Sequence, residues 1–156
     1  MVDEDVVCAL RDALGDALGE VRAVQIDETW LSLEIGGLLG AVDVLMNRCG
    51  VWHLSTITGL DDGQGIRLLY HFWRGHGLTL CVWLPYEAPT VPTLTRLIPG
   101  AAFYEREVAE MLGVTFEGHQ GLEPLLLPED WDAGPPLRRE RAEEGDDAVA
   151  ADAGGD

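Results

Sequence analysis

Three runs rich in β-forming residues, separated by short breaks that contain glycine, constrain the fold of this 156-residue chain most strongly. The runs are VWHLSTITGL at 51–60, IRLLYHFWR at 66–74 and LTLCVWLP at 78–85, and the breaks contain DDGQG and GHG. Breaks this short join antiparallel neighbours, because a parallel connection needs a dozen or more residues. The sequence therefore predicts an antiparallel meander over these runs.

The first fifty residues combine helical and strand-like patterns. Apolar residues at helical spacing predict one helix over 4–19, with Gly19 as its stop, and a second helix over 38–49. Between them, residues 21–35 alternate as strands do. We therefore expect an α+β fold, with a mainly antiparallel sheet packed with helices.

A proline-rich stretch follows the meander. Four prolines between residues 85 and 99 are expected to prevent regular strand pairing and to leave an ordered arm. The arm has room for one turn of helix at TLTRLI, with Thr93 as its cap. A short charged helix, within FYEREVAEMLG at 103–113, and an extended C-terminal segment complete the predicted domain.

The charge of the chain excludes one class of partner and sets the domain boundary. The chain has 28 acidic residues against 10 arginines and no lysine, for a formal net charge of -18. Such a surface repels phosphate backbones, so we expect no nucleic-acid partner. Residues 1–140 are predicted to form one domain, and residues 141–156 a disordered acidic tail, because the tail lacks side chains that could build a core.

Ligands for a metal or a cofactor do not stand out in the sequence. Cys8, Cys49 and Cys81 are widely separated, with no C-x-x-C pair, and they are interpreted as small buried apolar residues. No histidine pair has ligand spacing, so we predict that the chain binds no metal and no cofactor. The apolar run at 36–46 is too short to cross a bilayer and contains Asp43, so no membrane span is expected.

The charged helix allows two interpretations. At 100° per residue, its apolar stripe is formed by Tyr104, Val108, Met111 and Leu112. Glu105 and Glu107 fall at the borders of the stripe, while Arg106 and Glu110 lie opposite it at i,i+4. The face is then either a solvated surface with one Arg–Glu pair or a docking surface for another protein. Paired carboxylates with His119 could also do acid–base work, although no cleft, nucleophile or cofactor site is evident beside them.

The order of these residues resembles one known family. The pattern ERE-x-x-EM-x-GV-x-F-x-GH, followed by LLLPEDW at 125–131 and PPLRRE at 135–140, is similar to the 30-kDa subunit family of respiratory complex I, also known as the C subunit of NADH–quinone oxidoreductase. The preceding VPTLTRLIPGAAF resembles the version in membrane-bound, energy-converting nickel–iron hydrogenases. The similarity is close over 50–140 and follows only the order of elements over 1–50.

The resemblance implies a non-catalytic subunit without cofactors. It would lie on the cytoplasmic side of the membrane, in the peripheral arm of a respiratory redox complex. Its partners would be the large catalytic subunit, of the 49-kDa type or the hydrogenase large-subunit type, and neighbouring iron–sulfur subunits. A free-standing acidic binding module, or a small enzyme using Glu107, Glu110 and His119, remains the alternative.

The resemblance also marks partner-binding residues. Those that match the family pattern are Glu105, Arg106, Glu107, Glu110, Gly113, Gly118, His119, Pro136, Leu137 and Arg138. The chain departs from the family after the Gly-His pair, where it has QGLEP at 120–124 in place of a segment that usually carries two arginines. Ion pairs made by those arginines must therefore be reorganised or absent here.

Overall fold

A computed structural model describes residues 3–25 and 27–139. The helices are α1 (Glu4–Leu14), α2 (Leu38–Asn47) and α3 (Ala101–Leu112), and two short 3-10 helices span Gly15–Ala17 and Ile35–Gly37. The strands are β1 (Leu18–Gln25), β2 (Glu28–Leu33), β3 (His53–Asp61), β4 (Gly65–Trp73), β5 (Gly77–Pro85), β6 (Thr90–Pro92) and β7 (Thr115–Glu117). The α+β class is confirmed. The predicted acidic tail lies outside the described residues.

The main sheet has five strands in the order β1-β2-β5-β4-β3. Strands β3, β4 and β5 pair antiparallel in sequence order, which confirms the predicted meander, and β1 pairs antiparallel with β2. Strand β2 runs parallel to β5 and joins the N-terminal hairpin to the meander. The connection between β2 and the meander includes α2, as a crossover between non-adjacent strands requires.

The two faces of the sheet differ in composition. The inner face packs with the three helices in one hydrophobic core that contains Ile57, Leu68, Tyr70, Leu80 and Leu31 among others. The outer face contributes no residue to that core. Cross-strand pairing aligns its residues in four rows: Leu60, Arg67 and Trp83; Thr58, Leu69, Cys81 and Ser32; Thr56, His71, Thr79, Trp30 and Arg22; and His53, Trp73, Gly77 and Glu28.

The first helix is shorter than predicted. It begins at an Asp3 cap, whose side chain accepts a hydrogen bond from the Val6 N–H, and it ends at Gly15, which has a φ of 54°. Only glycine adopts such a backbone without cost, so Gly15 ends the helix rather than Gly19. Leu18, which falls within the predicted helix at 4–19, is instead the first residue of β1.

The proline-rich arm contains a strand that the sequence analysis excluded. Strand β6 pairs in parallel with β7, and Val91 lies opposite Phe116. The prolines are accommodated because Pro89 contributes only its carbonyl, to the Thr115 N–H, while Thr93, directly after Pro92, donates its N–H to the Glu117 carbonyl. Residues 94–98 form a single α-turn, closed by the Ile98 N–H on the Leu94 carbonyl, which does not continue into a longer helix.

The cysteines are less buried than predicted. Cys8 is exposed, and Cys49 and Cys81 are half-buried. Cys81 lies on the outer face of the sheet, beside Leu69, which explains its partial exposure. The interpretation of all three as fully buried is therefore wrong.

We expect Gly59→Val to destabilise the fold where α3 crosses β3. A Cβ atom at Gly59 would lie 2.3 Å from Leu112 Cδ1 and 3.3 Å from Val108 Cγ1. Overpacking of this kind costs about 1–3 kcal/mol of the free energy of unfolding, measured by urea denaturation. The control is Gly36→Ala, where no atom lies within 4 Å of the added Cβ. Equal stability of the two variants would contradict this packing.

Candidate functional site

Helix α3 carries the charged residues singled out from the sequence. Its stripe is confirmed in outline: Val108 and Leu112 are buried, and Tyr104 and Met111 are half-buried against the core. The helix ends at Gly113, which adopts the left-handed conformation with a φ of 71°. A helix terminus of this kind favours glycine, and so the stop was readable from the sequence.

Glu105 is buried in the core, whereas the sequence analysis placed it at a border of the stripe. Its relative exposure is 0%. One carboxylate oxygen accepts the Leu94 N–H at 2.6 Å, and the other accepts the Thr93 hydroxyl at 2.5 Å. The Thr93 Oγ1 in turn accepts the Thr95 N–H at 3.1 Å. Glu105 therefore ties α3 to the turn that follows β6.

Two further polar side chains lie beside the Glu105 carboxylate. His119 is 4% exposed; its Nε2 is 3.9 Å from a Glu105 oxygen and donates to the Ala102 carbonyl at 3.3 Å. Burial raises the pKa of Glu105, although the bonds from Thr93 and Leu94 and the proximity of His119 partly offset this effect. Burial, with the nearby Glu105 carboxylate, also raises the pKa of Tyr70. A small polar cluster is thus enclosed beneath α3.

Arg106 does not form the expected ion pair with Glu110 within the described part of the chain. Its guanidinium donates to the carbonyls of Glu123 and Pro124 at 3.2–3.3 Å and lies over the Phe103 ring, 5.9 Å from the centroid. These carbonyls belong to the segment that departs from the family pattern. The Arg106 side chain thus binds this segment through its backbone carbonyls.

Glu110 binds the C-terminal segment through its backbone. Its two oxygens accept the N–H groups of Leu125, Leu126 and Leu127 at 3.0, 2.8 and 2.9 Å. Desolvation alone would raise the pKa of Glu110, but these three bonds and the Arg106 charge hold it below its ordinary value. We refer to residues 120–139 as the strap, because Arg106 and Glu110 fasten this irregular segment along α3.

The end of the strap packs over the C-terminus of α3. The Leu137 N–H donates to the Met111 carbonyl at 2.9 Å, and the Arg138 guanidinium donates to the carbonyls of Tyr86 and Leu112 at 3.0 and 3.4 Å. A Cβ atom at Gly113 would lie 2.9 Å from Pro135 Cγ. Gly113 thus serves both as the helix stop and as the point where the strap approaches the helix closely.

The strap and α3 together expose apolar side chains. Phe103, Leu126 and Leu137 are 63%, 62% and 60% exposed, and Leu122 and Trp131 are also exposed. A cavity of about 390 Å³ lies between the helix and the strap. We refer to this combined area as the α3–strap surface. Exposed apolar groups clustered on one face are typical of protein interaction sites.

The predicted site residues separate into distinct environments. Glu105 and His119 lie together in the core, Arg106 and Glu110 hold the strap, and Gly113 and Arg138 meet at its end. Pro136 and Leu137 are exposed on the strap, and Gly118 precedes His119 with a φ of 85°. Glu107 is exposed, and the described residues offer its carboxylate no hydrogen bond or ion pair. The assignment of these residues to partner binding remains a prediction.

The enzyme alternative required Glu107, Glu110 and His119 to act together. Glu110 lines the cavity beside the strap, whereas His119 lines a different cavity, and Glu107 is exposed to solvent. These three residues therefore do not share one cavity.

The sequence did not reveal which residues surround Glu105. Thr93 was expected only as a helix cap, and Tyr70 as an ordinary strand residue. Across the described ranges, no group of three or more histidine, cysteine or carboxylate side chains could hold a metal ion.

Comparison with known proteins decides the family. Residues 33–147 match the family model described as the respiratory-chain NADH dehydrogenase 30-kDa subunit. The chain belongs to this family. It is therefore a subunit of a respiratory complex of the NADH–quinone oxidoreductase type. The resemblance noted above is thereby confirmed at the level of the family.

Individual relatives support the same membership. The chain is 51% identical over 132 residues to the NADH-quinone oxidoreductase C subunit of Herpetosiphon aurantiacus, covering 81% of this chain and 74% of that one. It is 45% identical over 153 residues to the C/D subunit of Cronobacter sakazakii, covering 89% of this chain and 25% of the relative. It spans 53% of the length of the C subunit of Roseiflexus castenholzii.

Solved structures share the fold. A trypsin-resistant fragment of Nqo5 superimposes with a TM-score of 0.64 at 25% identity, covering 75% of this chain and 98% of the fragment. A chain of the membrane-bound sulfane sulfur reductase, an archaeal respiratory membrane complex, superimposes with a TM-score of 0.70 at 22% identity, covering 81% and 77% of the two chains. Among the described residues, no helix has the length and apolar character needed to cross a membrane.

The buried Glu105 carboxylate generates a prediction about pH. Because its pKa is raised in the folded state, its contribution to stability is fully present below the pKa of the unfolded chain and is lost as pH rises through the folded pKa. Glu105→Gln cannot ionise. We therefore expect the stability advantage of the parent chain over this variant, measured by urea denaturation from about pH 4 to about pH 8, to decrease as pH rises. An advantage that grows with pH would contradict the assignment.

Glu110→Gln should release the strap while leaving the core folded. A glutamine has one acceptor oxygen, so it cannot accept three backbone N–H groups as the carboxylate does. We expect hydrogen exchange at Leu125, Leu126 and Leu127 to accelerate at least about tenfold, with exchange in β4 unchanged. The matched control is Glu107→Gln on the same helix. Unchanged exchange at these three amides would show that Glu110 does not hold the strap.

Proposed function

We propose that this chain is a non-catalytic assembly subunit in the peripheral arm of a membrane respiratory redox complex. It docks on the large catalytic subunit through the α3–strap surface and supports electron transfer by holding that subunit in place. The cytoplasmic side of the membrane is the proposed location. Catalytic, quinone-binding or nickel–iron groups would then belong to other chains of the complex.

One observation carries this proposal: the charges of α3 build a surface and do not form a reaction centre. Arg106 and Glu110 form hydrogen bonds with the backbone of the strap, and Glu105 forms one with the backbone N–H of Leu94. The strap exposes apolar side chains, and this exposure does not stabilise an isolated chain. A surface with an apolar centre and fixed polar surroundings has the composition of a protein interface.

The names of two relatives support one class of partner. Two relatives are named as C/D subunits of NADH-quinone oxidoreductase, which indicates that the C and D subunits form one polypeptide in those species. A fusion of this kind is expected for chains that function side by side. We therefore favour a D-type large subunit, of the 49-kDa class, with the hydrogenase large subunit as its counterpart in hydrogenase-type complexes. Iron–sulfur subunits are proposed as further neighbours.

The Arg106→Ala variant tests the docking surface. Removing the guanidinium leaves the Glu123 and Pro124 carbonyls without their donor and loosens the strap, while the core contacts of α3 remain. We expect recovery of the large subunit in a co-purification to fall at least about fivefold, with a loss of monomer stability below about 1 kcal/mol. Co-purification is quantified from co-expressed chains, and stability by thermal unfolding.

Two controls complete this experiment. Arg106→Lys keeps the charge but cannot reproduce the planar fork that reaches both carbonyls, so it should also weaken assembly. Glu107→Ala alters an exposed neighbour on the same helix. This variant shows whether a loss of assembly comes from the exposed Glu107 carboxylate or from loosening of the strap. Assembly that is unchanged in Arg106→Ala, at unchanged stability, would leave α3 a merely solvated face and would overturn the proposal.

A further inference from the structure

The outer face of the sheet contains a groove at the end where β2, β4 and β5 meet. Its volume is about 680 Å³, and its walls include Asp27, Glu28, His71, Trp73 and Thr79. This groove lies on the face of the sheet opposite α3, because its central residues belong to the rows that contribute nothing to the helical core. It is therefore separate from the α3–strap surface.

A chain of hydrogen bonds fixes the floor of the groove across four strands. The Thr79 hydroxyl donates to Glu28 Oε1 at 3.2 Å, so Thr79 Oγ1 accepts from His71 Nδ1–H at 2.9 Å. His71 Nε2 is then the acceptor for the Thr58 hydroxyl at 3.1 Å. The Trp30 indole N–H completes the chain with a 2.7 Å bond to Glu28 Oε1. Glu28 is thus held in one orientation.

The groove combines this fixed carboxylate with features that attract a cation. Both bonds to Glu28 use Oε1, and no described residue donates a hydrogen bond to its Oε2 or to the Asp27 side chain. The lining contains no arginine, and Trp73 is 54% exposed there. Trp73 and Glu28 lie on either side of Gly77 and line the same groove. An indole face and a carboxylate in one groove complement a planar cation, which can stack on one and form charge-assisted hydrogen bonds with the other.

We propose that this groove receives an arginine side chain from a partner polypeptide that packs against the open face of the sheet. The guanidinium would bond to Glu28 Oε2 and Asp27 and stack on Trp73. Arginine fits better than lysine because its planar fork serves the carboxylates and the ring together. Charge complementarity favours this occupant, because the chain has a net charge of -18 and attracts basic segments. The chain would then contact two partner surfaces, one on each side of its sheet.

The test uses the full chain and a defined probe, the blocked peptide Gly-Arg-Gly, compared with the isosteric but neutral Gly-citrulline-Gly. Binding is followed by NMR chemical-shift changes at the Trp30 and Trp73 indole N–H groups and at the Gly77 amide, up to about 20 mM peptide. We expect saturable shifts at these sites with the arginine peptide and none with citrulline. Glu28→Gln and Asp27→Asn should each weaken binding at least about fivefold.

Controls separate the groove from the general acidity of the chain. Asp12→Asn removes the same charge from an exposed position on α1 and should leave the affinity within about twofold. Arg106→Ala should also leave it unchanged, so a failure here and a failure of the α3–strap proposal are distinguishable. No saturable shift, equal binding of both peptides, or an equal effect of Asp12→Asn would overturn the proposal. Self-association of the chain through Trp73, seen by light scattering, would replace the partner with a second copy and overturn it as well.

Discussion

The arrangement of the C-terminal half depends on one buried carboxylate. Glu105 accepts hydrogen bonds from Thr93 and from the Leu94 backbone, and no other described contact joins the interior of α3 to the arm so directly. Burying a carboxyl group costs free energy unless its oxygens accept hydrogen bonds. The residues around Glu105 must therefore supply donors. Together with the buried side chains of Val108 and Leu112, Glu105 sets the rotation of α3. Arg106 and Glu110 then necessarily face the strap.

The remaining charges of the helix act on backbone instead of on other side chains. Arg106 binds carbonyls and Glu110 binds N–H groups, so each ion compensates backbone that lacks regular secondary structure. Because the strap contains no strand or helix, its backbone N–H and C=O groups would otherwise bond only to water. Nothing would then hold the strap in one conformation. Hydrogen bonds to the charged side chains of Arg106 and Glu110 therefore replace the backbone pairing of a sheet along residues 123–127. These backbone contacts also fix the positions of the apolar side chains that the strap exposes.

The sequence predicted the elements better than it predicted their partners. The meander, the α+β class and the stop at Gly113 followed from spacing and glycine chemistry, because these signals are local. Glu105 was misplaced because helical periodicity assigns a glutamate to the polar border, and only tertiary contacts reveal its burial. Strand β6 was missed because its partner, β7, lies beyond α3 and has a single buried residue, Phe116. The strap contacts use backbone atoms, which no side-chain pattern encodes.

The parallel pairing of β6 with β7 has a consequence for how the chain folds. Thr90 lies opposite Thr115, so α3 is enclosed by two strands that are close together in the sequence. The entropy lost in closing a loop of this size is small, and contacts over short sequence distances form early. The β–α–β unit that carries the charged helix can therefore assemble before the distant pairing of β2 with β5 joins the N-terminal hairpin to the sheet.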